Sequence, residues 1–335
     1  MIKKIKILIV GAGSIGKRHI RNLKKIGILS SNLLAVDKRK DRLDEVKKLD
    51  VKKCFFSLKS ALRESFDAAV ICSPTSMHIN QCILLAKQKK HLLIEKPLSH
   101  NLKDLNKLEK ILKKNKLTSM IAYIFRFHPG VILAKKILNE KKIGKSLYFR
   151  GEFSEFLPDW HPYENYRKFY MAKKKQGGGS ILDQCHIMDL SHFLMGNFKN
   201  VLCLNTKKSP LQIQADDISE MIINNSDGSV SSIHTDIFGR KHSKYFEIKG
   251  TKGNLKWDFY KNTLEIYNSK NKSNKTYRFR KDFNLSYLDE IKHFITCVIK
   301  RKFKTKIPYD IGVSTMKLIH AAEISHKTGK RVNIS

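Results

Sequence analysis

The sequence predicts an α/β protein in two parts: a doubly wound parallel sheet over residues 1–123, then an α+β domain over 124–335 built on an open, mainly antiparallel sheet. Three observations predict it. Short apolar runs alternate with amphipathic helical patterns as far as about residue 123, and a glycine-rich turn closes the first run. From about 200 to 280, strand patterns follow one another with only turn residues between them. At 335 residues the chain is also too long for one small core.

The elements follow in order. Largely apolar runs at 5–10, 33–36, 67–71, 91–94 and 118–123 read as strands, and with apolar residues on both faces they call for cover on both. Helical patterns fall between them at about 14–27, 39–49, 58–65, 76–89 and 101–115. Beyond 125 a helix over 130–140 precedes an alternating strand over 145–156, an aromatic, turn-rich segment over 157–170 and a helix carrying His186. Strands are expected at 200–206, 217–224, 229–237, 244–249, 253–259, 263–268 and 276–280, with turns such as Asn225-Ser226-Asp227-Gly228 between them. Helices over about 285–300 and 310–328 close the chain.

Composition narrows the function. A hydrophobic share of 41% beside 29% charged residues excludes a disordered chain, and no apolar run is long enough to cross a bilayer. Met1 leads straight into the first strand, so no signal peptide is expected and the expected location is the cytoplasm. Six scattered cysteines lack any metal-ligand spacing, so no metal site is expected. The net charge of +36 is spread over solvated faces, with no helix-turn-helix, RNP or zinc signature, so no specific nucleic-acid partner is expected. Such a field would still draw in an anionic substrate, such as a nucleotide sugar.

Three motifs carry chemistry. Gly11-Ala12-Gly13-Ser14-Ile15-Gly16 ends a strand and opens a helix, the setting of a dinucleotide site. Gly11 allows the turn, Gly13 lets a pyrophosphate approach the backbone, and Gly16 lets helix and strand pack; the helix N-terminus favours the negative charge. Asp37 ends the second strand, where it can accept both ribose hydroxyls, which favours NAD; Lys38 and the two basic residues after it leave NADP open. Ser73, Pro74 and Thr75 follow the strand at 67–71 and His78 lies a turn further on, so all four are expected along the cofactor. Glu95-Lys96-Pro97 follows the strand at 91–94, Glu95 beside the cofactor and Lys96 able to bond a substrate hydroxyl or share its proton. After Gly177-Gly178-Gly179, Asp183, His186 and Asp189 recur at a spacing of three on one apparent helix, an acid and an imidazole aimed into one cleft.

These motifs, with Arg126-Phe127-His128-Pro129, occur in the order found in the Gfo/Idh/MocA oxidoreductases, and the chain resembles that family over essentially its whole length. The resemblance implies an N-terminal Rossmann domain and a C-terminal α/β domain whose sheet commonly makes a homodimer or homotetramer. It implies NAD(P)-dependent oxidation or reduction of an alcohol or carbonyl on a sugar, nucleotide sugar or cyclitol. By position, Lys96 matches the family's catalytic lysine, His186 its proton-transferring histidine, and Asp183 the acid that assists it. Many relatives place that acid four residues before the histidine, so Asp183 and Asp189 both stand as partners for His186. Ile124 occupies a place where many sugar-binding relatives are polar. The segment from Trp160 to Tyr170 resembles a subgroup tied to surface-polysaccharide and nucleotide-sugar pathways. Arg126, His128, Tyr163, Tyr166 and Arg167 are its candidates for stacking on a sugar or gripping an anionic group. Alternatives to a net dehydrogenase are a redox-neutral glycosidase or dehydratase that retains NAD, and a non-catalytic nucleotide sensor.

Overall fold

The computed structural model describes residues 4–160, 162 and 164–334. The chain forms two compact units, one of residues 1–124 with 284–313, the other of residues 125–283 with 314–335. Residues 284–313, which hold the first closing helix, pack in the first of these compact units. The reason is tertiary packing that no local pattern reveals.

In the first unit six parallel strands form one sheet: β1 (Ile7–Val10), β2 (Leu33–Val36), β3 (Lys53–Phe55), β4 (Ala68–Ile71), β5 (His91–Glu95) and β6 (Ser119–Ala122), in the order β3-β2-β1-β4-β5-β6. Every residue of β1, β2, β4 and β6 is buried, as apolar runs covered on both faces require. β3 was absent from the expected strands; it is three residues long and edges the sheet beside β2. The connecting helices are α1 (Ser14–Lys25), α2 (Lys40–Lys47), α3 (Leu58–Ala61), α4 (His78–Lys87) and α5 (Leu105–Lys114). The order reverses between β1 and β4, the place where such sheets hold ligands.

The second unit begins with α6 (Pro129–Asn139), β7 (Ser146–Phe156), α7 (Ser180–Asp183) and α8 (His186–Met195). The strands beyond α8 are β8 (Phe198–Thr206), β9 (Ile218–Asn225), β10 (Val230–Asp236), β11 (Phe238–Gly250), β12 (Gly253–Asp258), β13 (Thr263–Asn268) and β14 (Ser273–Arg278). Each falls within a few residues of expectation, except that β11 starts six residues early. Together with β7 and β15 (Val332–Asn333) they make a nine-stranded sheet, antiparallel except where β10 runs parallel to β7. On the helix-covered face Phe149, Phe246 and Trp257 stack, with centroids 5.8 and 5.2 Å apart. On the other face Leu202, Leu204 and Ile222 stand exposed.

Two helices close the chain, α9 (Asn284–Ile299) and α10 (Tyr309–Thr328). α9 joins the first unit because its polar side chains find partners on α1. Asn284 and Asn22 exchange amide hydrogen bonds, the Tyr287 ring meets His19 edge-on at 6.4 Å, and Arg18 lies 4.5 Å over that ring. Ile291, Phe294 and Ile295 on the same helix are fully buried. The chain then runs beside β6, where Ile121 donates its N–H to the Ile307 carbonyl and Thr305 bonds the Ser119 carbonyl.

Candidate active site

In the first unit the glycine motif is explained atom by atom. Gly11 has φ +99°, and a Cβ on it would sit 2.6 Å from the Cys72 carbonyl; one on Gly16 would sit 2.1 Å from the Gly11 oxygen. Gly13 is different. A Cβ there would meet nothing closer than Arg42 Nη1 at 3.6 Å, so the packing of the fold does not itself demand a glycine, whereas the close approach of a pyrophosphate would. α1 starts at Ser14 and Ile15 with no side-chain cap and no acid in its first turn, leaving donors for an anion. These residues fit a dinucleotide's pyrophosphate.

Asp37 lies at the end of β2, accepting from Ala12 N at 2.8 Å and Arg39 N at 2.9 Å, with Arg42 3.7 Å away; Lys38 is exposed. Arg42, not singled out from the sequence, thus stands beside both Gly13 and Asp37. At the end of β4, Ser73 donates to Gln81 at 2.6 Å and Thr75 is buried behind Pro74. His78, expected along a cofactor, is turned inward instead. Its ring nitrogens lie 3.0 Å from the Pro97 carbonyl and 2.8 Å from the Ser73 carbonyl, bracing the ends of β4 and β5 against each other. Burial lowers its pKa against the pull of those carbonyls. Glu95 is buried, its Oε1 2.8 Å from His19 Nε2 and its Oε2 accepting from Lys96 N at 3.3 Å. The partly exposed Lys96 comes next, joined to Pro97 by a cis bond.

In the second unit the expected single helix is two. α7 ends at Asp183 and α8 starts at His186, because the chain tightens between them: Cys185 and Ile187 donate to carbonyls only three residues back. Gly179, at φ +117°, makes room for Asp216, which accepts from Ser180 Oγ at 3.0 Å and Ile181 N at 2.9 Å. From 177 to 191 every residue is buried except His186. Its ring meets Phe125 edge-on at 5.0 Å, and Phe125 meets Phe153 at 5.3 Å. Asp183 accepts from Tyr170 OH at 3.1 Å.

The alternative acid is spent elsewhere. Asp189 is buried and takes three hydrogen bonds from Arg126, two from Nε at 3.1 and 2.9 Å and one from Nη2 at 2.7 Å. Burial pushes its carboxyl up against the pull of the guanidinium. The same contacts correct the expectation for Arg126, whose fork is occupied and whose plane lies 4.6 Å over Phe193. His128 is corrected too. It caps α6 by accepting from Gly130 N at 3.1 Å, lies 3.3 Å from Asn262 Oδ1, and is ringed by Trp257, Phe259 and Phe279. Tyr166 packs on an apolar cluster, its hydroxyl accepting from Gln212 N; Arg167 is exposed beside it, and Tyr163 lies outside the described residues.

One constellation was missed. Glu155 accepts from Gln184 Nε2 at 3.1 Å and Tyr260 OH at 3.0 Å, and pairs with Lys244 at 2.8 Å. Burial alone would raise its pKa, but Lys244 and these hydrogen bonds outweigh it and hold the carboxylate low. Lys244 lies 5.5 and 5.8 Å over the rings of Phe153 and Phe259. Gln184, next to Asp183, was the one available sequence signal. Among the described residues no group of three His, Cys, Asp or Glu is placed to hold a metal, and no helix is long and apolar enough to cross a membrane.

Comparison with known proteins agrees with this geometry. Residues 5–123 match the profile of the Gfo/Idh/MocA oxidoreductases' NAD-binding Rossmann fold, and residues 135–334 match their C-terminal alpha/beta domain. The chain belongs to the Gfo/Idh/MocA oxidoreductase family. Among curated members, it is 28% identical over 305 residues to a myo-inositol 2-dehydrogenase of Thermotoga maritima, covering 87% of each chain. It is 26% identical over 196 residues to a 2,7-anhydro-N-acetylneuraminate hydratase of Escherichia coli, covering 57% of this chain and 51% of that one. A solved levoglucosan dehydrogenase in complex with NADH and levoglucosan superposes with TM-score 0.89 over 98% of this chain and 99% of its own, at 19% identity, a likeness of fold. This Gfo/Idh/MocA chain is an NAD-dependent oxidoreductase.

Proposed function

We propose that the chain oxidises a secondary alcohol on a neutral sugar or cyclitol ring, or reduces the corresponding ketone, with His186 and Lys96 handling the substrate oxygen. The observation that carries this reading is the single accessible imidazole, His186, in an otherwise buried segment entered through three glycines. When bound, NAD supplies the hydride acceptor. Gly11, Gly13, Gly16 and the first turn of α1 would hold its pyrophosphate and Asp37 its ribose. His186 takes the hydroxyl proton, Asp183 orients or assists His186, and Lys96 bonds the same oxygen and stabilises its developing negative charge.

The substrate class follows from charge. Lys244 is neutralised by Glu155, and Arg126 by Asp189, so neither of these two cations is left over for a substrate anion. An ammonium and a carboxylate side by side, walled by Phe153, Phe259 and Tyr260, suit adjacent hydroxyls of a neutral ring. The anionic substrate expected from net charge loses one of its candidate ligands, Arg126. A homo-oligomer joined through the exposed sheet face is part of the proposal, as is a cytoplasmic location, supported by six cysteines of which no two form a disulfide.

The test is the reduced-nicotinamide absorbance of protein with NAD or NADP and a panel of inositols, free sugars, sugar acids and nucleotide sugars. A rise with a neutral ring is the expected result; a rise with anionic members alone would overturn the charge argument. Lys96→Met should lose turnover with NAD affinity intact, and near-normal turnover would sink the role of Lys96. The hydratase among the relatives favours a second reading, in which bound NAD is reduced and reoxidised within one turnover. Product formation without accumulation of NADH would select it.

A further inference from the structure

The first unit buries an acid that the mechanism leaves unused. Glu290, on α9, is fully shielded from solvent, and neither of its carboxyl oxygens has a hydrogen-bond partner. An ionised carboxylate in that state would cost several kcal/mol, so the group keeps its proton. Its surroundings place it behind the strand ends. It interacts electrostatically with Glu95 of β5, with the Cys72 thiol at the end of β4 and with Tyr287 of α9 itself, whose ring meets His19 of α1 edge-on. Arg18 and Lys96 stand at the edge of this cluster, and His78 of α4 also feels Glu95. Glu95 has hydrogen-bond partners in His19 Nε2 and the Lys96 N–H, whereas neither oxygen of Glu290 has one. Burial first, and the charge of Glu95 next, push the Glu290 carboxyl well above the usual range. His19 Nδ1, 0% exposed, is likewise without a partner, so this pocket of polar atoms is incompletely satisfied by the protein.

The sheet order says what lies in front of it. With the pyrophosphate on the glycine turn and one ribose at Asp37 on β2, the other half of a dinucleotide extends over the ends of β4 and β5. A nicotinamide ring there is cationic when oxidised and neutral when reduced. Two carboxylates do not ionise together in a buried site, but a cation beside them offsets the second charge.

We propose that Glu290 is a redox-linked proton site, giving up its proton when an oxidised nicotinamide lies over these strand ends and keeping it when the ring is reduced. The proposal rests on the reading of the chain as an NAD-dependent dehydrogenase. It adds no redox step. The hydride leaves the carbinol carbon for the ring and the hydroxyl proton goes to His186. Glu290 loses one proton to solvent when the oxidised cofactor binds and regains one once the ring is neutral. Glu290 touches neither substrate nor cofactor and is a positioning residue, one that sets the charge behind Lys96.

The experiment counts protons with an indicator dye in weak buffer near pH 7, as full-length protein is saturated with NAD or with NADH. Wild type should release a large part of one proton with NAD and almost none with NADH. Glu290→Gln, an isostere of the un-ionised acid, should bind both and release none, with its preference shifted toward NADH by about tenfold. Binding of NAD without proton release, or release undiminished in Glu290→Gln, would overturn the proposal. Failure of wild type to bind either nucleotide would instead overturn the dinucleotide reading beneath it. Infrared spectra of wild type test the same point without a variant. The band of an un-ionised buried carboxylic acid should be present, fade with NAD and persist with NADH; its absence in the free protein would overturn the assignment.

Discussion

Arg126 and His186 show how differently single residues can be read. His186 was legible because acid, imidazole and glycines lie within thirteen consecutive residues. Arg126 was not, because its partner Asp189 lies 63 residues away and only the fold brings them together. The pair is buried on both sides, so removing one member strands the other. Arg126→Met should cost about 3–5 kcal/mol in urea unfolding; a cost within the ordinary surface range would show that the pair contributes little. Lys244 and Glu155 were illegible for the same reason, since they meet through the antiparallel register that sets Phe153 against Lys244. If they clamp substrate hydroxyls, Lys244→Met should raise KM for the sugar or cyclitol by about 10- to 100-fold. NAD affinity measured by titration should stay unchanged.

At the level of elements, period and punctuation carried most of the fold. Strands β7 to β14 alternate or are bounded by turns, and the parallel strands other than β3 are short, largely apolar runs. The break between α7 and α8 escaped notice because no glycine or proline marks it; Gln184-Cys185 is an ordinary pair of residues. The start of α6 is a capping site whose chemistry depends on pH. Burial lowers the pKa of His128 to about 4, so the folded state binds fewer protons than the unfolded one between there and 6.5. Its contribution is therefore complete above pH 6.5 and is lost as pH falls toward 4, by up to about 3 kcal/mol on the size of that shift. Urea midpoints across this range should show a fall in wild type that His128→Asn, an uncharged cap, flattens.

For the whole molecule the telling surface is the open face of the nine-stranded sheet. Leu202 stands opposite Ile222, and Leu204 opposite Glu220, on adjacent strands. Glu220 in turn bonds His234, which also contacts Asp236 at 2.7 Å. Burial works against the charge on His234, but the two carboxylates outweigh it and raise its pKa to about 9. Stability from this cluster is present below pH 6.5 and is lost as pH rises through 9. If two copies meet on this face, Leu204→Glu should leave a folded monomer in sedimentation velocity; an unchanged assembly would place the contact elsewhere.

The return of α9 to the first unit has a consequence for the order in which the protein is made. A ribosome must deliver all of β7 to β14 before Ile291, Phe294 and Ile295, which the first unit buries completely, have been synthesised. During that interval the cofactor-binding sheet is translated yet uncovered on one flank. Residues 1–124 alone lack the cover that α9 gives, and a nascent chain halted before residue 284 should present apolar surface to whatever holds unfinished polypeptides in solution.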